Sequence, residues 1–218
     1  QFPPSMDIET LMEKVQHSRI SSVRGVVQRL VELINDDTTD ARQLKEVIEQ
    51  DPPLCTDLLR IANSAVFAPV NPIQDIQGAI VRIGYNNLME LAMNQKIKCT
   101  FTGDTPFRNE LWKHSVATAI THKSLYENEY AIQGSAAYAI GLIHDIGLIA
   151  EEQYHKDFYH ALSQTGTITE QEDKILGFNH TQVGARICTE WNIPLDMSQA
   201  ILYHHHTNSL AIAEAIAQ

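Results

Sequence analysis

The stretch Gly141-Leu142-Ile143-His144-Asp145-Ile146-Gly147-Leu148 sets an imidazole and a carboxylate side by side inside an apolar run. It lies within a longer apolar segment, Ser135 to Ala150, whose pattern predicts a helix. Burying either polar group there without a partner would cost roughly 2–7 kcal/mol. Hydrogen bonds to the backbone and neighbours would offset that cost. A divalent cation would do so as well, because neutral imidazole offers a nitrogen ligand and a carboxylate can bridge two metals. Other residues of the right chemistry recur at fitting positions among the ten histidines. Glu110 and His114 are one helical turn apart, so both lie on one face of a predicted helix. His180 opens a helix after Gly177 and Asn179, and His204 and His205 close the helix that Pro194 opens. Each has a plainer reading. Glu110 fits a surface charge, His180 a locally bonded helix start, and His204-His205-His206 a solvated helix end favoured by the dipole. His17, His122, His155 and His160 stand in no pattern and are expected at the surface or as satisfied core residues.

Working outward, helical periodicity recurs along the chain and two-residue alternation is absent. Val23, Val26, Val27, Leu30, Val31 and Ile34 form an apolar stripe with Ser21 and Ser22 as cap candidates. Asp40 is placed to cap a second helix, and Asp51 before Pro52 marks a third, with an acceptor at the cap and proline at the first helical position. Asp75 caps a fourth, after the break at Asn71-Pro72. The turn-rich stretch Thr100 to Pro106 marks an internal boundary. Beyond it, helices are predicted around Trp112–Tyr126, Ser135–Ala150, His155–Leu162, Glu170–Leu176, His180–Trp191, Pro194–His204 and Ser209–Ala217. The expected fold is all-α: a single domain over residues 1–218, with an N-terminal helical lobe over 1–104 and a C-terminal one over 105–218 packed together.

Composition narrows the function classes. With 27 acidic against 16 basic residues the formal charge is −11, which repels phosphate backbones and anionic membrane surfaces. No nucleic-acid partner is expected. Cys55, Cys99 and Cys188 are odd in number and far apart, which suits reduced thiols rather than a disulfide framework. No apolar run reaches the roughly 20 residues of a membrane helix, and the opening residues lack a signal-peptide pattern. The sequence therefore reads as cytoplasmic.

Several segments together carry a family resemblance. The second half resembles the HD superfamily of metal-dependent phosphohydrolases, whose signature is a spaced His, a His-Asp pair and a distant Asp. The whole chain, from about residue 20 to 218, is more similar to the HDOD (HD-related output domain) proteins of bacterial signalling. In the first half the resemblance rests on Ile48-Glu49-Gln50-Asp51-Pro52, on Leu58 to Ala65, and on Ala79-Ile80-Val81-Arg82-Ile83-Gly84. In the second it rests on Trp112-Lys113-His114-Ser115, Gly141 to Gly147, Asn179 to Ala185, and Ile201-Leu202-Tyr203-His204-His205. It implies an HD-like C-terminal lobe. It also implies metal-ligand roles for His114, His144, Asp145, His180, His204 and His205, with Glu110 as a further carboxylate ligand. Glu214 falls loosely where the final Asp of the superfamily is expected. The implied cofactor is one or two divalent ions, such as iron, manganese or a similar metal.

The departures bear on activity. Catalytic relatives commonly carry a lysine after His-Asp-Ile-Gly, where this chain has Leu148, and leucine cannot stabilise a developing phosphate anion. The Gly-Tyr-Pro motif of the cyclic-di-GMP phosphodiesterases is absent after His205, and His206 stands where those enzymes have a glutamate. The resemblance thus implies a signalling output module with an HD-type metal site, a protein partner and no hydrolytic activity. The alternative is a metal-dependent phosphohydrolase acting on a nucleotide or cyclic nucleotide, with Asp145 as the bridging ligand of the catalytic centre.

Overall fold

The computed structural model describes residues 6–101, 105–131, 134–155 and 166–206. These residues fold as helices and connecting turns, without strands. In chain order the helices are α1 (Ile8–Gln16), α2 (Arg19–Ser22), α3 (Arg24–Ile34), α4 (Ala41–Glu49), α5 (Pro52–Ala62), α6 (Ile76–Ile83) and α7 (Tyr85–Phe101). There follow α8 (Pro106–Glu129), α9 (Ser135–Ile143), α10 (Ile146–Tyr154), α11 (Ile168–Leu176), α12 (His180–Glu190) and α13 (Leu195–Tyr203). The chain is all-α.

Local cap chemistry sets many of the starts. Asp40 forms a capping box with Gln43 at α4, Asp75 accepts from the Gly78 N–H at α6, and Asn179 forms a capping box with Gln182 at α12. Each supplies an acceptor to an N–H that has no intrahelical partner. Three expectations change. Ser21 and Ser22 belong to the short α2, which Ser18 caps, while α3 starts at Arg24, and Val23 at its N-cap supplies no side-chain hydrogen bond. The apolar segment predicted as one helix from Ser135 to Ala150 is two helices, broken at His144 and Asp145. The helix predicted over His155–Leu162 is not seen at His155, which ends α10, and its remainder lies outside the described residues, as does the one predicted over Ser209–Ala217.

Asp51 does two jobs. Its carboxylate caps α5 by accepting from the Leu54 N–H (3.0 Å) and receives a hydrogen bond from Lys96 Nζ on α7 (2.6 Å). Burial pushes its carboxyl up, but the Lys96 ammonium and the Leu54 N–H outweigh that and hold it below the ordinary carboxylate range. A depressed folded-state pKa contributes stability above the unfolded value, near pH 4, that is lost as pH falls through the folded one. Asp51→Ala should therefore destabilise the protein by about 2 kcal/mol at neutral pH, summing a cap and a charged hydrogen bond. The deficit should shrink below pH 4. Urea denaturation of wild type and variant across pH 3–7 checks both statements.

The buried apolar side chains form one continuous cluster running through both halves. α1, from the first half of the chain, lies against the second. Arg186 on α12 donates to both carboxylate oxygens of Glu9 (2.9 and 2.8 Å), and Tyr154 Oη on α10 donates to the Lys14 carbonyl (3.1 Å). Between α7, α8 and α9, the nearly buried Glu90 accepts from Lys123 Nζ (2.7 Å) and Ser135 Oγ (3.0 Å). α8 and α9 approach closely: a Cβ on Gly141 would lie 2.7 Å from the Ala119 Cα. These contacts fix α9, and with it the His144-Asp145 break at its end.

Among the described residues no helix is long and apolar enough to cross a membrane.

Candidate metal centre

Asp145 occupies the N-cap position of α10, yet its side chain makes no capping hydrogen bond. The carboxylate turns instead into a ring of imidazoles. His144, at the end of α9, brings Nε2 to 3.0 Å from Asp145 Oδ2, and His114, from α8, brings Nε2 to 3.5 Å from the same oxygen. The other oxygen, Oδ1, faces His204 Nε2 at 3.3 Å and His180 Nε2 at 3.6 Å. His205 Nε2 stands 3.1 Å from His180 Nε2 and completes that side. One carboxylate thus serves two sets of nitrogens: His114 with His144, and His180 with His204 and His205.

The far side of the rings explains which atom each imidazole presents. His144 Nδ1–H donates to the Gly141 carbonyl (2.8 Å) and His204 Nδ1–H to the Ile201 carbonyl (2.6 Å). His180 Nδ1–H donates to Glu172 Oε2 (2.6 Å). In a neutral ring with Nδ1 protonated, Nε2 carries a lone pair. Three lone pairs therefore point at the Asp145 carboxylate, itself only an acceptor. Such contacts are repulsive unless a proton or a metal ion lies between them. His204 Nε2 is buried without a hydrogen-bond partner, as expected of a nitrogen kept for a metal. Imidazole nitrogens with one carboxylate suit a divalent transition metal, so the residues present fit the ion.

The electrostatics without the ion are those of a tightly interacting cluster, in which a proton between His144 and Asp145 competes with a metal. Burial pushes the Asp145 carboxyl up, but His144, His204 and His180 more than offset it and hold it far below the usual range. Burial pushes the His144 imidazole down, and the adjacent Asp145 more than reverses this, leaving it above the ordinary value. His205 is pushed down to about 4 by burial and by the neighbouring His204 and His180 rings, so at neutral pH it has the neutral form a metal needs.

Of the residues singled out in the sequence, His114, His144, Asp145, His180, His204 and His205 come together here. Glu110 does not. Its side chain is exposed, and it accepts from Lys113 Nζ at 2.7 Å rather than reaching the cluster. Glu214 lies outside the described residues. Leu148 is buried in the core, its backbone N–H donating to the Asp145 carbonyl (3.0 Å). Glu172 is the residue that sequence reasoning missed. Its signal was the apolar stripe Ile168, Glu172, Ile175, Leu176, in which a carboxylate holds a core position.

Residues 20–207 match the HDOD domain family. The chain belongs to the HDOD family. An uncharacterised protein of Treponema pallidum is 24% identical over 217 residues, the match covering 94% of this HDOD chain and 42% of that protein. Among solved structures, an HDOD domain protein of unknown function from Geobacter sulfurreducens superposes with a TM-score of 0.72 at 25% identity, over 85% of this chain and 64% of that one. A candidate signal transduction protein of Marinobacter aquaeolei gives 0.70 at 18% identity, over 94% and 54%. This chain therefore spans less than two thirds of the length of each of these proteins.

Proposed function

We propose that this HDOD domain is a signalling output module built on a divalent-metal centre and without hydrolytic activity. Leu148 carries the second half of that reading. At the position where catalytic relatives place a lysine, the chain directs an apolar side chain into the core, where it is 5% exposed. The ion pairs of Asp145 among the described residues are all with histidines. A phosphoryl group at the centre would find imidazoles and the ion itself, with no fixed ammonium at that position to meet developing charge. His114, His144, Asp145, His180, His204 and His205 would hold the ion or ions. Their convergence from α8, α10, α12 and the ends of α9 and α13 makes metal binding a lock on helix arrangement, which suits a module whose output is a surface shown to a signalling partner. The resemblance of the fold to a candidate signal transduction protein accords with this role.

The second reading, a metal-dependent phosphohydrolase, draws on one observation. A cleft of about 480 Å³, lined by Thr169, Asp173, Asn179, Tyr203, His205 and His206, opens beside the cluster. Two divalent ions held by a shared carboxylate would lower the pKa of water and neutralise phosphoryl oxygens. The chain's own part would be to orient the ester in the cleft.

The test is metal analysis of protein purified without chelator, together with hydrolysis assays on bis-p-nitrophenyl phosphate and cyclic dinucleotides. We expect bound transition metal and no turnover above the chelated control. Turnover that disappears in His144→Ala would overturn the non-catalytic reading, and folded protein that takes up no metal would overturn the metal centre.

A further inference from the structure

The three imidazoles of the centre whose Nδ1 is bonded within the fold are not anchored alike. His144 and His204 give their Nδ1–H groups to the neutral carbonyls of Gly141 and Ile201, whereas His180 gives its own to the carboxylate of Glu172. Glu172 and His180 are both fully buried, and one carboxylate oxygen accepts twice, from His180 Nδ1–H at 2.6 Å and from the His180 backbone N–H at 3.1 Å. The second bond ties the carboxylate to the first residue of α12, so ring and helix start are held together. The capping box of Asn179 with Gln182 fixes the same helix end from outside. A carboxylate behind a ligating imidazole fixes its tautomer and makes the opposite nitrogen a stronger donor.

The two sides of Asp145 also differ in completeness. His180, His204 and His205 with Oδ1 supply four protein donors, which fill a tetrahedral shell, while His114 and His144 with Oδ2 supply three. The His114 side chain is 58% exposed, and that of His180 is fully buried.

We propose that Glu172 is a positioning residue for His180, and that it makes the His180–His204–His205 side of Asp145 the tight half of the centre, filled before the His114–His144 half. The inference rests on the metal-centre reading above and goes beyond it by assigning an order of filling and the residue that sets it. Glu172 touches no ion. It acts by holding the His180 ring in one orientation and one tautomer and by lending it negative charge.

The experiment titrates the chelator-stripped full chain with Co²⁺, following visible d–d absorption and competition with a chromophoric chelator. Wild type should take up a first equivalent with the intense bands of four-coordinate cobalt, then a weaker second. Glu172→Gln preserves shape and an acceptor but removes the charge. It should weaken the first step by about 10–100-fold and leave the second within about threefold, while His114→Ala should do the reverse. An unchanged first step in Glu172→Gln, or both steps weakened alike, would overturn the proposal. Long-range ¹H–¹⁵N spectra of zinc-loaded wild type give a test that needs no variant. The His180 Nδ1–H proton should lie downfield of those of His144 and His204, and coincidence of the three would count against Glu172. Failure of wild type to bind cobalt or zinc would remove the metal-centre reading itself, a result distinct from normal binding in Glu172→Gln.

Discussion

Asp145→Ala should leave the protein unable to hold a second equivalent of metal and should weaken the first by at least about a hundredfold, roughly 2.7 kcal/mol. Both carboxylate oxygens are engaged, Oδ2 by His144 and His114 and Oδ1 by His204 and His180. Truncation reduces one side to the two imidazoles of His114 and His144, too few for a stable site. The other side keeps three imidazoles but loses the negative charge that offsets the ion. The metal-free variant should lose stability at neutral pH as well, because the depressed Asp145 carboxyl reports favourable contacts with His144 and His204 in the fold, although Asp145 does not cap α10. Calorimetric metal titration beside urea denaturation separates the two effects. Glu110→Gln is the control: exposed and paired with Lys113, Glu110 should change neither measurement beyond about 0.5 kcal/mol. Retention of two tight equivalents in Asp145→Ala would mean that the imidazoles do not share this carboxylate through bound metal.

The contrast between Glu110 and Asp145 shows what the sequence could carry. Spacing places Glu110 on the same helical face as His114, but face membership is only a necessary condition. Lys113 is also within reach, and the choice between a lysine and a metal is made by whether the side chain points into the core or into water. Cap chemistry is read with less ambiguity because it is local. Asp40, Asp51 and Asp75 each meet an N–H two or three residues on, as expected, whereas Ser21 and Ser22, expected to cap α3, do not. The break at His144-Asp145 has no such signal. Ser135 to Ala150 contains no proline, and its apolar pattern continues through the break. The break coincides with a long-range arrangement, in which histidines from α8, α12 and the end of α13 gather around one carboxylate. Glu172 was hidden for the opposite reason: its helix has an ordinary capping box at Thr167 and Glu170, and its partner His180 lies on the next helix. The seating of α1 against α10 and α12 likewise depends on contacts between residues more than a hundred positions apart, such as Glu9 with Arg186, which no local pattern encodes.

Gly147→Ala is expected to be the most damaging single-methyl change outside the ligands. A Cβ at position 147 would lie 2.0 Å from the His180 carbonyl oxygen and 2.9 Å from the Gly184 backbone nitrogen. Both are main-chain atoms of α12, so no rotamer change relieves the clash, and α10 and α12 must move apart by about 1 Å in a close-packed interior. Overpacking of this kind typically costs 1–3 kcal/mol, and here we expect about 3 kcal/mol or more, because the strain falls on backbone. The displacement would also carry the first residue of α12, His180, away from Asp145. Metal affinity should then fall together with stability, although position 147 offers no ligand. Gly25 makes the comparison that isolates the cause. It lies in α3, where an added Cβ meets nothing within 4 Å. Gly25→Ala should raise stability by about 0.5–1 kcal/mol through helix propensity alone and leave metal binding untouched. Urea midpoints and Co²⁺ affinities of the two variants decide the matter. If Gly147→Ala unfolds at the wild-type midpoint and binds metal normally, the close approach of α10 to α12 is not what places His180 in the centre.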